Sequence, residues 1–150
     1  MLNLPLLSVL VLTAAVQTAP TNPACTVLTA SESASLIGEG GQTLSVAAAP
    51  RGSSCMVQHG DKVITILFAH LDSADAASGL WATKERIVDG KELAGWPAKA
   101  YAGGLKDVSA VGLAKGKSFI EVRVTVPSTH NADIPAKLQT VMKAVAARLP

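Results

Sequence analysis

Aromatic residues are scarce in this chain: two Phe, two Trp and one Tyr stand among 150 residues. Charge is scarce as well, at 16% of residues with a formal net charge of +2. The thirteen Lys and Arg are scattered from Arg51 to Arg148 without a cluster, so no basic face for nucleic acid or an anionic membrane is expected. Only two cysteines occur, Cys25 and Cys55, and neither belongs to a CxxC pair. The three histidines, His59, His70 and His130, lie far apart and show neither His-x₃-His nor His-Glu-x-x-His spacing. A metal site would have to be assembled by folding, and no metal or cofactor is expected. No Gly-x-Ser-x-Gly, Ser-x-x-Lys or reactive-cysteine signature is present, and the carboxylates are too spread to nominate an acid–base pair. The sequence therefore nominates no catalytic residue.

What is present begins with an apolar leader. Leu4 to Leu12 is nearly all apolar, small residues follow at Thr13, Ala14 and Ala15, and no charge appears before Glu32. These features predict a signal peptide over residues 1–19, cleaved near 15–19, and a stiff spacer over 20–24. Asn3, Pro5, Ser8, Thr13 and Gln17 interrupt the run, which argues against a retained span of ~20 apolar residues. A periplasmic or secreted protein with no stable membrane span after cleavage is expected. Two cysteines in an exported chain predict one disulfide, Cys25–Cys55, across a separation of 30 residues (55 − 25). The rival role for Cys25, a lipidated amino terminus, is disfavoured by Asn22 three positions earlier.

Residues 25–150 read as one domain. Thr29-Ala30-Ser31-Glu32 is a capping box, and the short helix it opens should stop at Gly38. Leu44, Val46 and Ala48 alternate as in a half-buried strand. Residues 55–58 and 62–69 form a hairpin turning at Gly60-Asp61, and the second strand, apolar on both faces, should be central. Over 73–89 the pattern becomes helical, with Ala77, Leu80, Trp81, Lys84, Ile87 and Val88 on one side. Residues 91–107 look irregular. A second hairpin spans 108–126 and turns near Lys115-Gly116, with Ile120, Val122, Val124 and Val126 facing the core. Its other face, Phe119, Glu121, Arg123 and Thr125, should meet solvent. A last helix starts near Ile134, with Pro135 in its first turn and an apolar stripe from Leu138 to Leu149. The expected class is α+β: an antiparallel sheet of two hairpins plus a short first strand, covered on one face by helices, in the order helix–strands–helix–hairpin–helix.

Val111-Gly112-Leu113-Ala114-Lys115-Gly116-Lys117-Ser118 superficially matches a phosphate-binding loop. Its first glycine is out of register by one, and a strand rather than a helix follows, so a hairpin turn is the better reading. Because aromatics are rare, Trp96 and Tyr101, with Pro97 between them, stand out. They either plug the core or form a recognition surface. If a surface, it should include Trp96, Tyr101, Phe119 and Arg123, since an aromatic beside Arg suits an interface.

The stretch Cys25-Thr26-Val27-Leu28-Thr29, the capped helix ending near Gly38, the second cysteine Cys55, Gly95-Trp96-Pro97-Ala98 and the hairpin around Gly116 together carry a resemblance. The chain resembles small exported bacterial domains of unknown function that begin Cys-x-[Leu/Val]-Leu-Thr. That resemblance implies a disulfide and an envelope location, and brings no catalytic residues. The functional expectation is a non-enzymatic binding module of the bacterial cell envelope with another envelope protein as partner, an inhibitor or immunity protein being the sharper form. The alternatives are a small histidine-based hydrolase or metal-dependent enzyme, and a carrier of an apolar ligand.

Overall fold

The computed structural model describes residues 21–49 and 51–150, so the expected signal peptide lies outside the described residues. The chain enters through a 3₁₀ turn, Pro23–Thr26, and continues as α1 (Ala30–Ile37), β1 (Gln42–Ala47), β2 (Gly52–His59), β3 (Lys62–His70) and α2 (Ala74–Ile87). It then forms β4 (Lys91–Glu92), β5 (Lys99–Leu105), β6 (Val108–Lys115), β7 (Ser118–Thr125) and α3 (Ile134–Arg148). All strands pair antiparallel in one seven-stranded sheet of order β1-β2-β3-β7-β6-β5-β4. The class is α+β, as expected. No helix among the described residues is long and apolar enough to cross a membrane.

Local chemistry sets most boundaries. Thr29 accepts the Glu32 amide at 3.1 Å while Glu32 accepts the Thr29 amide at 2.8 Å, closing the capping box. Gly38 ends α1 at φ +94°, and Gly60 and Gly116 turn the two expected hairpins at φ +61° and +54°. The phosphate-loop lookalike is accordingly the β6–β7 turn. Its Lys115 donates from Nζ to the Leu149 carbonyl at 2.5 Å, placing a cation at the negative end of α3.

Two expectations are corrected. Residues 91–107 are only partly irregular: β4 and β5 occupy 91–92 and 99–105, with β5 bonded along its length to β6. Its Gly103-Gly104 pair reads as a loop, but glycine is required there by proximity. A Cβ on Gly103 would sit 2.5 Å from the Val88 carbonyl, and one on Gly104 would sit 2.2 Å from that of Val108.

The second correction concerns helix placement. α1, α3 and the 3₁₀ turn cover one face, packing Leu36, Ile37, Leu138, Met142 and Val145 on Ile64, Ile66, Val111, Leu113 and Val122. α2 lies on the opposite face, where Trp81 joins Tyr101, Ala110, Ala114 and Phe119. The topology explains this. β7 pairs with β3, so the chain leaving β3 must cross β7 and β6 to start the β5–β6–β7 meander, and α2 makes that crossing. Phe119 and Glu121 are therefore buried and do not face solvent.

The amino-terminal segment is fastened in two places. Cys25 and Cys55 form the expected disulfide, with a Cα–Cα distance of 5.1 Å. Buried Asn22 donates from Nδ2 to Ser45 Oγ at 2.7 Å, the Ala47 carbonyl at 2.9 Å and the Ser54 carbonyl at 2.8 Å. Those contacts pin the bulged end of β1.

Arg148, at the end of α3, grips α1. Its Nη1 and Nη2 donate to the two Glu32 carboxylate oxygens at 2.6 and 2.7 Å, and Nη2 also donates to the Val27 carbonyl at 2.7 Å. The Arg148 guanidinium, assisted by the Thr29 amide and hydroxyl, holds the Glu32 carboxyl below its ordinary value of 4.5 against the opposing effect of burial. A depressed acid stabilises the fold above its unfolded pKa, and that contribution disappears as pH falls through the folded value. Glu32→Gln should therefore lower stability by ~1 kcal/mol at pH 7, with the deficit shrinking below about pH 4. Urea unfolding of both proteins at pH 7 and pH 3 measures this, and a deficit unchanged at pH 3 would exclude the charge as its cause.

Candidate functional site

One row of directly paired residues crosses the α2-side face: Tyr101 on β5, Gly112 on β6, Glu121 on β7, Leu67 on β3 and Ser54 on β2. Tyr101 is fully buried, and its ring lies flat over Gly112. A Cβ there would stand 2.2 Å from the ring. The ring thereby spans β6, and its hydroxyl donates to Glu121 Oε2 two strands away. Arg123 Nε donates to the other oxygen, Oε1, at 2.7 Å. Both oxygens of a carboxylate that is only 3% exposed are thus engaged, which is what a buried charge requires. Burial and the Glu121 carboxylate push the Tyr101 phenol far above its ordinary range, so it serves as a hydrogen-bond donor throughout the usable pH range. Trp81 of α2 packs edge-on against Tyr101, at 5.5 Å between ring centroids, and the Lys99 ammonium sits 4.1 Å over the Trp81 ring.

α2 packs chiefly on β5, β6 and β7. At its margin Ser54, Thr65, Leu67, Lys84, Glu121 and Arg123 line a recess of about 190 Å³. Beyond it the sheet carries half-buried Met56, Val63, Thr65 and Leu67 and the 49% exposed Leu44. β1 closes that side of the sheet with all six residues exposed and no strand on its outer edge among the described residues.

The four residues nominated for a recognition surface do not form one. Tyr101 and Phe119 are completely buried under α2, whereas Trp96 is half-buried and packs with Leu93 and Ala98 against the other core. Arg123 is half-buried like Trp96, but on the opposite face, where it is linked to Tyr101 through Glu121. For Tyr101 the plug is the geometry found, and Phe119, expected on a solvent-facing surface, is buried beside it. Sequence reasoning passed over Glu121, Ser54, Thr65 and Lys84 as site residues. Lys84 did leave a signal, a cation in the apolar stripe of α2. The role of Glu121 depends on cross-strand register, which spacing does not reveal.

The histidines remain dispersed, His59 ending β2, His70 ending β3 and His130 in a 3₁₀ turn before α3. Among the described residues no group of three His, Cys, Asp or Glu could hold a metal. A second cleft, of about 310 Å³, lies between α1 and the β1–β3 end of the sheet. Its lining mixes Leu28, Ile37, Val57 and Ile66 with Ser33, Thr43 and glycine backbone. Comparisons of the chain with known protein families, curated proteins and solved structures return no match.

Proposed function

We propose that the protein is a non-enzymatic, exported binding module of the bacterial cell envelope that engages another envelope protein by strand addition at β1. The observation that carries this reading is the character of that edge. Gln42-Thr43-Leu44-Ser45-Val46-Ala47 holds no charge and no proline, and Leu44 and Val46 are 49% and 59% exposed. Edge strands left free are ordinarily blunted by lysine, proline or a covering element; among the described residues β1 has a bulge between Ser45 and Ala47 and the Asn22 contacts at that end, and its outer edge carries no strand. An added strand would gain main-chain hydrogen bonds along β1 and apolar contact with Leu44 and Met56. The leader and the disulfide support an envelope setting. Blocking an envelope enzyme, as an inhibitor or immunity protein does, is the sharper form of the same role.

Val46→Lys tests the edge. Wild type should retain a discrete partner from envelope extract, and the partner should slow amide exchange along residues 42–47. The variant should lose capture by about tenfold or more while keeping its stability within ~0.5 kcal/mol, because the side chain it replaces is largely exposed. Equal capture by the variant, or a partner that leaves β1 exchange unchanged, would discard the strand-addition reading.

A further inference from the structure

The recess at the margin of α2 has donor chemistry that strand addition does not use. Glu121 consumes the Nε of Arg123 and is itself capped by Tyr101, which holds the guanidinium fixed. The two outer nitrogens of Arg123 take part in no hydrogen bond among the described residues. Lys84 forms no ion pair among them, and the hydroxyls of Ser54 and Thr65 make no side-chain hydrogen bond. All four side chains line one recess. Its charges are two cations and one carboxylate, so the net is +1 (2 − 1). The next acid along α2, Glu85, lies against Gly90 with its Cγ 2.9 Å from the Cβ position there. At about 190 Å³ the recess is smaller than the roughly 300–1,000 Å³ of pockets for drug-sized ligands, so it suits a single anionic group.

We propose that this recess is an oxyanion site that takes a phosphoryl group, either as inorganic phosphate or as the phosphomonoester of a larger molecule. The outer nitrogens of Arg123 fork onto two oxygens, Lys84 neutralises a third, and the Ser54 and Thr65 hydroxyls donate to what remains. A carboxylate, with two oxygens, would leave part of this donor set unused. The Tyr101–Gly112–Glu121 row is the positioning device: it orients Arg123 and satisfies the carboxylate that would otherwise repel the ligand.

The test follows the Arg123 Nε and Lys84 Nζ resonances of the mature protein by NMR, with no partner present. Inorganic phosphate, glycerol phosphate and acetate are each titrated at fixed ionic strength. Saturable shifts should appear with a Kd in the low-millimolar range or tighter, with acetate about tenfold weaker. Tighter binding of glycerol phosphate would assign the source as a phosphomonoester, and tighter binding of inorganic phosphate would assign free phosphate. Lys84→Met and Thr65→Val should each raise Kd, the former by about tenfold. Neither removes a partner of buried Glu121, so both should fold. Absence of saturation by about 50 mM phosphate, acetate binding as tightly as phosphate, or an unchanged Kd in Lys84→Met would overturn the proposal. Because this binding is read without the protein partner, its failure leaves strand addition at β1 standing, and the converse also holds.

Discussion

Gly112→Ala should destabilise the protein by ~3 kcal/mol or more, the larger end of what overpacking a core costs. The alanine Cβ would lie 2.2 to 2.4 Å from three atoms of the Tyr101 side chain, and that side chain has nowhere to go. Trp81 packs on it from α2, and Gly90 lies so close that a Cβ there would stand 3.1 Å from its Cδ2. If the ring is expelled, the Tyr101–Glu121 hydrogen bond is lost as well, leaving a buried carboxylate with one partner. Chemical unfolding would read the loss as a fall in midpoint. Tyr101→Ala should already carry a large cost of its own, and adding Gly112→Ala to it should cost far less than in the wild type. Such non-additivity is the signature of one shared contact. A loss below ~1 kcal/mol for Gly112→Ala alone would mean that the ring does not lie over β6.

Removing the disulfide should have a comparable effect. The bridge closes a separation of 30 residues, for which the chain-entropy account gives about 3–4 kcal/mol. Cys55 is wholly buried between β1 and β3, and Cys25 lies in the 3₁₀ turn, so the bridge ties the amino-terminal segment to the sheet. Without it, only the Asn22 hydrogen bonds and the packing of Ala24, Val27 and Leu28 keep that segment in place. Cys25→Ala/Cys55→Ala should melt ~10 °C or more below the wild type. Reduced wild type should behave the same way. The bridge would not be what constrains the unfolded chain if the reduced protein melted within ~2 °C of the oxidised one. Loosening near Asn22 should also speed amide exchange at Ser45 and Ala47, where the bulge is pinned.

Much of the architecture can be read residue by residue. Thr29 and Glu32 announce α1 because a capping box is a contact between neighbours in sequence. Gly60 and Gly116 announce their turns because both adopt positive φ, which any residue with a Cβ resists. Leu138, Val141, Met142 and Val145 announce α3 because one helical face repeats every three or four residues. Cys25 and Cys55 announce each other because no other cysteine competes. These signals are local, or unique, and survive without coordinates.

The site was decided elsewhere. Phe119, Glu121 and Arg123 share a face, which alternation does indicate, but whether that face is wet depends on where α2 crosses. The crossing follows from β7 pairing with β3, a contact between residues from 48 (118 − 70) to 62 (125 − 63) positions apart. β5 was hidden because its glycines and alanines look like loop until Val88 and Val108 are seen pressing on them. Tyr101 and Glu121 meet only because Gly112 stands between them in register, and Lys84 shares a recess with Arg123 only because α2 lies over β6 and β7. Sequence alone determined the helices, the two hairpins, most of their ends and the disulfide, since each depends on near neighbours or on an unambiguous pair. Tertiary structure alone decided which face each helix covers and which polar side chains converge, because register and crossover are properties of the whole sheet.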